Sequence, residues 1–242
     1  MSRIYVVGIG PGDEENMTLK AHKVLESCDV IVGYKTYTDL VKDIYPDKEI
    51  IESAMRSEID RCRLCVREAK NDKKVALICS GDAGIYGMAS PMLEVAAEED
   101  FDDVEIVPGV TAALSGSAVL GAAVGHDLCT ISLSDLLTPW ELIEERLRCA
   151  AKGDFCISIY NPASKKRADH LKKACFVLLE TLPRDRVCGI ARNIGREGTS
   201  IKICALSELA DEEADMFTTV FIGNSKTYEK DGRMITPRGY KL

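Results

Sequence analysis

Three short glycine-bearing segments are the first candidates for chemistry: Val7-Gly8-Ile9-Gly10-Pro11-Gly12-Asp13, Ser80-Gly81-Asp82-Ala83-Gly84-Ile85-Tyr86-Gly87 and Val107-Pro108-Gly109-Val110-Thr111-Ala112-Ala113. Each follows a short β-branched run, where glycine lets the backbone turn sharply and a ligand approach closely. The first resembles the dinucleotide fingerprint G-x-G-x-x-G, but its sixth position is Asp13. The next strand runs out through Gly33-Tyr34-Lys35 without the acid that would hold a ribose. The following helix starts only near Thr18, too late to aim its N-terminus at a pyrophosphate. Taken alone, this loop reads equally well as a structural turn. In the second segment Asp82 either caps the helix that follows or accepts hydrogen bonds from a ligand; in the third, Thr111 is either an N-cap or a ligand contact. The set is more telling than any member. Three such loops after three strands of one sheet all open on the same edge, where ligands bind in open α/β sheets.

The remaining reactive side chains are sparse. His126 and Asp127 are neighbours in a loop after Gly125, and a His–Asp pair can shuttle protons near neutral pH. Hydrogen bonding within the loop is the alternative. His22 and His170 fall in charged helical stretches and read as surface residues. The run Lys165-Lys166-Arg167, and the pair Arg192 and Arg196, follow strand ends; they suit an anionic ligand, since arginine forks match carboxylates, or they are solvated faces. Most of the ten cysteines sit in apolar runs and read as small hydrophobes. Only Cys62 and Cys65 have metal-like spacing. They lie in a charged helical segment without a second pair, so no metal is assigned; a disulfide is another reading if the source is a hyperthermophile.

The elements that must position these groups alternate strand and helix. Strands are predicted at 4–7, 30–32, 49–51, 75–79 and 104–107, with helices at 18–27, 36–44, 57–71 and 87–98 between them. That alternation implies a parallel sheet with helices on both faces. A small apolar helix is predicted over 110–122. A second series follows, with strands at 128–133, 154–160, 186–191, 200–205 and 218–222 and helices at 140–151, 164–182 and 207–214. Its last strands follow each other closely, which predicts a mixed sheet. The tail from Lys226 reads as polar and irregular. The expectation is therefore an α/β chain of two domains, 1–118 with the parallel sheet and 119–242 with the mixed one.

The formal net charge of −8 argues against a nucleic-acid partner, which would need a concentrated basic face. No run approaches the ~18 apolar residues of a membrane span. The short apolar run at Ile4–Val7 passes straight into a glycine loop and reads as a first strand, not a signal peptide, so the cytoplasm is the expected compartment.

Together the loops 8–13, 81–87 and 108–113 resemble those of the tetrapyrrole (class III) S-adenosylmethionine methyltransferases, a resemblance that extends over essentially the whole chain. The stretch from Gly125-His126-Asp127 through Ser132, Ser134 and Asp135 to Pro139-Trp140-Glu141 is similar to the members that act on C17 of the corrin ring. So are Ile159-Tyr160-Asn161-Pro162-Ala163-Ser164, Ala191–Gly198 and Phe221–Ser225. The resemblance implies two αβα domains with a cofactor trough between them, usually in a homodimer, with S-adenosylmethionine as cofactor and an anionic tetrapyrrole as substrate. Cofactor contacts would fall on Gly10, Pro11, Gly81, Asp82, Ile85, Tyr86, Thr111 and Ala112, and on Tyr160, Asn161 and Ala191. Substrate contacts would fall on Ser132, Ser134, Asp135, Lys165, Arg192 and Arg196, with His126 and Asp127 as acid–base candidates for ring contraction. An extra iron–sulfur domain, known in some C17 enzymes, is not expected. Methylation at another corrin position such as C11 or C20, a nicotinamide oxidoreductase and a non-catalytic tetrapyrrole carrier are the alternatives. The missing ribose acid disfavours the oxidoreductase, and three cofactor loops disfavour the carrier.

Overall fold

The computed structural model describes residues 2–54, 57–164 and 167–241. The chain divides into two compact units, Met1–Ala112 and Ala113–Leu242.

The first unit carries a parallel sheet ordered β3-β2-β4-β1-β5, built from β1 (Arg3–Gly8), β2 (Val30–Tyr34), β3 (Glu49–Ser53), β4 (Lys74–Cys79) and β5 (Val104–Val107). Alternate residues of each strand face opposite sides, and each side meets its own helices. Ile4, Val6, Val75 and Leu77 pack with α3 (Glu58–Lys70) and α4 (Ala89–Glu98). Val7, Ile31, Ala76, Ile78 and Val107 pack with α1 (Leu19–Ser27) and with Val41 and Tyr45. Helix α2 is only the turn Lys35–Thr38, shorter than the patterning suggests, and the segment after it packs through isolated turns. Cys62 and Cys65 are buried free thiols on the core side of α3.

The second unit contains nearly all of α5 (Ala112–Leu120), the short strand β6 (Gly121–Ala122), β7 (Leu128–Ser132), α6 (Trp140–Lys152), β8 (Cys156–Tyr160), α7 (His170–Leu179), β9 (Val187–Arg192), β10 (Ser200–Ala205), α8 (Leu206–Leu209) and β11 (Thr218–Ile222). Its sheet runs β10-β9-β11-β8-β7 and is mixed: β7 and β8 are parallel, while β11 is antiparallel to both β8 and β9. Consequently β7, β8 and β9 end on one edge. One face packs Ile131, Ile157, Ile159, Ile190 and Val220 against α6, α7 and α8. On the other, Phe221 is fully buried in a cluster with Leu120 of α5, Ala191 and Met234. Helix α5 comes close there because Gly116 has no side chain: a Cβ would lie 2.6 Å from Phe221 Cζ.

Three further expectations need correction. The tail is not irregular from Lys226: β12 (Tyr228–Lys230) and β13 (Arg233–Ile235) form a hairpin, and β13 pairs with β6. Its turn is Asp231-Gly232, both at positive φ, the chemistry of a two-residue hairpin turn. Helix α7 begins at His170 instead of Ser164: Asn161 takes a left-handed conformation, and Ser164 and Arg167 exchange backbone hydrogen bonds with each other. Helix α8 is a single turn.

Candidate active site

In the first unit the three glycine segments leave the carboxyl ends of β1, β4 and β5, which are neighbours in the sheet. They hold one another at backbone distance. Gly10 and Gly81 exchange two backbone hydrogen bonds of 3.1 and 2.7 Å, and both have positive φ. A Cβ on Gly109 would stand 2.1 Å from the Gly81 carbonyl oxygen, and one on Gly8 2.7 Å from the same atom. These glycines are therefore required by loop-to-loop contact.

Asp82 completes the assembly. Its Oδ1 accepts from the amides of Gly84 (2.8 Å) and Ile85 (3.0 Å), and its Oδ2 accepts from the Gly109 amide (3.0 Å). It does not cap the next helix, which begins only at Ala89; it ties the loop after β4 to the loop after β5. Asp13 plays a similar local part, its Oδ1 accepting from the Asn16 amide at 3.0 Å.

What remains open on this edge is bare backbone beside apolar surface. Nothing lies closer than 3.7 Å to the position of a Cβ on Gly81. Ile85 and Tyr86 are large exposed side chains, and Tyr86, 53% exposed, is held at a φ of 55°, an unusual conformation for a bulky residue. Pro11 and Gly10 are buried beneath, and Thr111 and Ala112 are half-buried next to Gly81. An exposed aromatic and an aliphatic side chain beside sterically open glycine backbone leave room for a flat nucleoside such as that of S-adenosylmethionine.

In the second unit the carboxyl edge of β7 and β8 carries a polar cluster. Ser132 Oγ accepts from Asn161 Nδ2 (3.0 Å) and from the Ser134 amide (3.2 Å). Leu133 donates its amide to the Tyr160 carbonyl (2.9 Å), while the Tyr160 hydroxyl accepts from the Ala113 amide at the start of α5 (2.8 Å). Ser132, Ser134, Asp135, Tyr160 and Asn161 are thus brought together, although the sequence divides them between substrate and cofactor contacts. His170 was not anticipated there. It is no surface residue: it is 6% exposed, with Nδ1 2.9 Å from the Leu133 carbonyl, Nε2 3.6 Å from Asp135 Oδ2 and its ring 4.7 Å from that of Trp140. Arg167 lies on the same carboxylate, 4.0 Å from Asp135 Oδ1. The sequence signal was slight: Trp140 and His170 are thirty positions apart, and only folding shows that they touch.

The other candidates are placed elsewhere. Arg192, at the end of β9, shares this edge but is ion-paired with Asp215. Burial opposes ionisation of Asp215, yet the Thr218 hydroxyl, the Phe217 amide and Arg192 together hold its carboxyl below the usual range. Arg196 lies over the Phe217 ring at 5.0 Å. Ala191 is buried under α5, and Lys165 lies outside the described residues. His126 and Asp127 are exposed, 3.3 Å apart, and precede β7, at the opposite end of that strand from Ser132. No group of three or more potential metal ligands occurs among the described residues. No helix among them is long and apolar enough to cross a membrane.

Known proteins decide the family. The sequence profile of the tetrapyrrole (corrin/porphyrin) methylases matches residues 3–210. The chain belongs to this family. It is 44% identical over 238 residues to a probable cobalt-factor III C(17)-methyltransferase of Salmonella typhimurium, covering 98% of this chain and 99% of that one. It is 38% identical to a precorrin-3B C(17)-methyltransferase of a Sinorhizobium species, covering 98% and 96%. The crystal structure of the methyltransferase CobJ matches with a TM-score of 0.91 at 34% identity, over 98% of this chain and all of that one. The tetrapyrrole methylases are S-adenosylmethionine-dependent methyltransferases, so the chain is an enzyme of that class. Their α/β fold, a parallel sheet followed by a mixed one, is the one described above.

Proposed function

We propose that this enzyme transfers a methyl group from S-adenosylmethionine to C17 of precorrin-3B or cobalt-precorrin-3, with contraction of the macrocycle, in the building of the corrin ring. The observation that carries this reading is full-length similarity, over 98% of the chain, to relatives named as C(17)-methyltransferases.

In this reading the backbone around Gly81, with Gly10, Pro11, Ile85, Tyr86, Thr111 and Ala112, holds the cofactor. Asp82 acts by fixing the loops whose amides it binds. S-adenosylmethionine, when bound, supplies an activated methyl group. The protein's task is then placement of donor and acceptor, not a strong base. The exposed apolar side chains of Ile85 and Tyr86 would keep water from that end of the site. The Ser132 and Ser134 hydroxyls would orient the anionic macrocycle. A cytoplasmic homodimer is part of the same proposal.

Mass spectrometry of the products formed from precorrin-3B and from cobalt-precorrin-3 tests it. A singly methylated, contracted ring from one of them is the expected result. A product methylated at C11 or C20, or no turnover of either, would overturn the assignment.

A further inference from the structure

Arg167, Arg192 and Arg196 all lie at or beyond the carboxyl ends of β8 and β9, but they differ in what holds them. Arg192 is spoken for by Asp215, and Arg196 lies on Phe217. Among the described residues the Arg167 side chain makes one hydrogen bond, its Nε donating to Ser164 Oγ at 3.1 Å. Its Nη1 is buried and has no hydrogen-bond partner among the described residues. The side chain is only 17% exposed, so water does little to solvate it, and Asp135 Oδ1 at 4.0 Å is beyond hydrogen-bond reach. A buried charged donor without an acceptor is costly to maintain.

The reason Asp135 does not close on Arg167 lies on its other side. His170 Nδ1 faces the Leu133 carbonyl, which can only accept, so that nitrogen carries a proton. Its Nε2 faces Asp135 Oδ2 at 3.6 Å, and the ring is fixed against Trp140. Asp135 thus stands between an anchored imidazole and a guanidinium and makes a short contact with neither.

We propose that Arg167 binds a carboxylate substituent of the substrate, and that Asp135 is its stand-in counter-ion in the free enzyme, kept back by His170. The planar guanidinium fork suits a carboxylate, and the arriving anion would give the buried Nη1 the acceptor it lacks. This rests on the reading of the chain as acting on a carboxylate-bearing tetrapyrrole.

The test is steady-state kinetics on the macrocycle that wild type turns over, with S-adenosylhomocysteine affinity measured alongside by calorimetry. R167Q should raise KM for the macrocycle ~10–100-fold, the scale of a lost charged hydrogen bond, and leave S-adenosylhomocysteine affinity unchanged. R167K, which keeps the charge without the fork, should recover part of that loss and serves instead if R167Q does not fold. D135N, which removes the carboxylate that competes for Arg167, should lower KM. An Arg167 variant with KM within about twofold of wild type, an equal loss of cofactor affinity, or an unchanged or higher KM in D135N would overturn the proposal. Wild type that turns over neither macrocycle would defeat the underlying reading instead.

Discussion

The carboxylate of Asp82 and the backbone amide of Gly109, twenty-seven positions apart, are joined by a 3.0 Å hydrogen bond that ties the loop after β4 to the loop after β5. The same side chain accepts two more amides, from Gly84 and Ile85. Asp82→Ala should therefore cost both binding and stability. Charged hydrogen bonds of this kind are worth about 1.5–3 kcal/mol, so S-adenosylhomocysteine affinity should fall roughly 10–100-fold and the melting temperature should drop measurably. Asp82→Asn, which keeps an acceptor oxygen, should lie between. Calorimetric titration and thermal melts of the two variants check this. Normal cofactor affinity in Asp82→Ala would mean that the loop tie is irrelevant to the site.

Gly109 and Gly84 lie on the same edge but should respond differently to one methyl group. At Gly109 a Cβ would meet the Gly81 carbonyl oxygen at 2.1 Å and Gly8 at 2.5 Å, all backbone that cannot swing aside. At Gly84 the nearest atom is Asp82 Oδ1 at 3.3 Å. Gly109→Ala should destabilise by ~3 kcal/mol or more through overpacking, and Gly84→Ala by less than ~1 kcal/mol. Urea unfolding followed by circular dichroism separates them.

His126 precedes β7 while the polar cluster follows it, and a strand of this length rises about 3.3 Å per residue between them. A proton carrier in the cluster's chemistry would have to be within hydrogen-bond reach. His126→Ala should therefore turn over within about threefold of wild type, instead of losing the 10²–10⁴ typical of a general acid or base. Single-turnover rates with mass detection of any uncontracted product decide this. A loss of 10²-fold or more would restore His126 and Asp127 as the acid–base pair.

Burial raises the thiol pKa of Cys28, Cys62 and Cys79 from 9.0 to about 11 and that of Cys175 to about 12, in each case chiefly by desolvating the thiolate. Between pH 9 and 11 the unfolded chain loses these protons while the folded chain keeps them, so stability falls as pH rises through that window. Urea midpoints should decline steadily from pH 9 upward. Near neutral pH the exposed Cys149 should be alkylated first, and the buried thiols should react only on unfolding. Rapid modification of Cys62 or Cys65 in the native protein would contradict their burial.

The strand–helix alternation was legible because it is local: β-branched runs, periodic apolar faces and glycines at strand ends all lie within a few residues of what they specify. That is why both sheets and all three glycine loops were found. The roles of single side chains were less legible. Asp82 read as a cap or a ligand contact because its third partner, Gly109, is remote in sequence. His170 read as surface because its neighbours Lys172 and Lys173 are charged, whereas its burial depends on Trp140 and the Leu133 carbonyl. The hairpin at Tyr228–Ile235 did carry a signal, Asp231-Gly232, which its polar surroundings obscured.

The reciprocal hydrogen bonds between Gly10 and Gly81 bear on how a ligand would be received. Surface loops ordinarily lose conformational freedom when they close on a small molecule, and that loss is subtracted from affinity. Here the ordering has been completed by folding, because the two loops are extra rungs on neighbouring strands. Binding at this edge should then have a small unfavourable loop-ordering entropy, and tightness should depend mainly on the few side chains, Ile85, Tyr86 and Thr111 among them, that surround the fixed backbone.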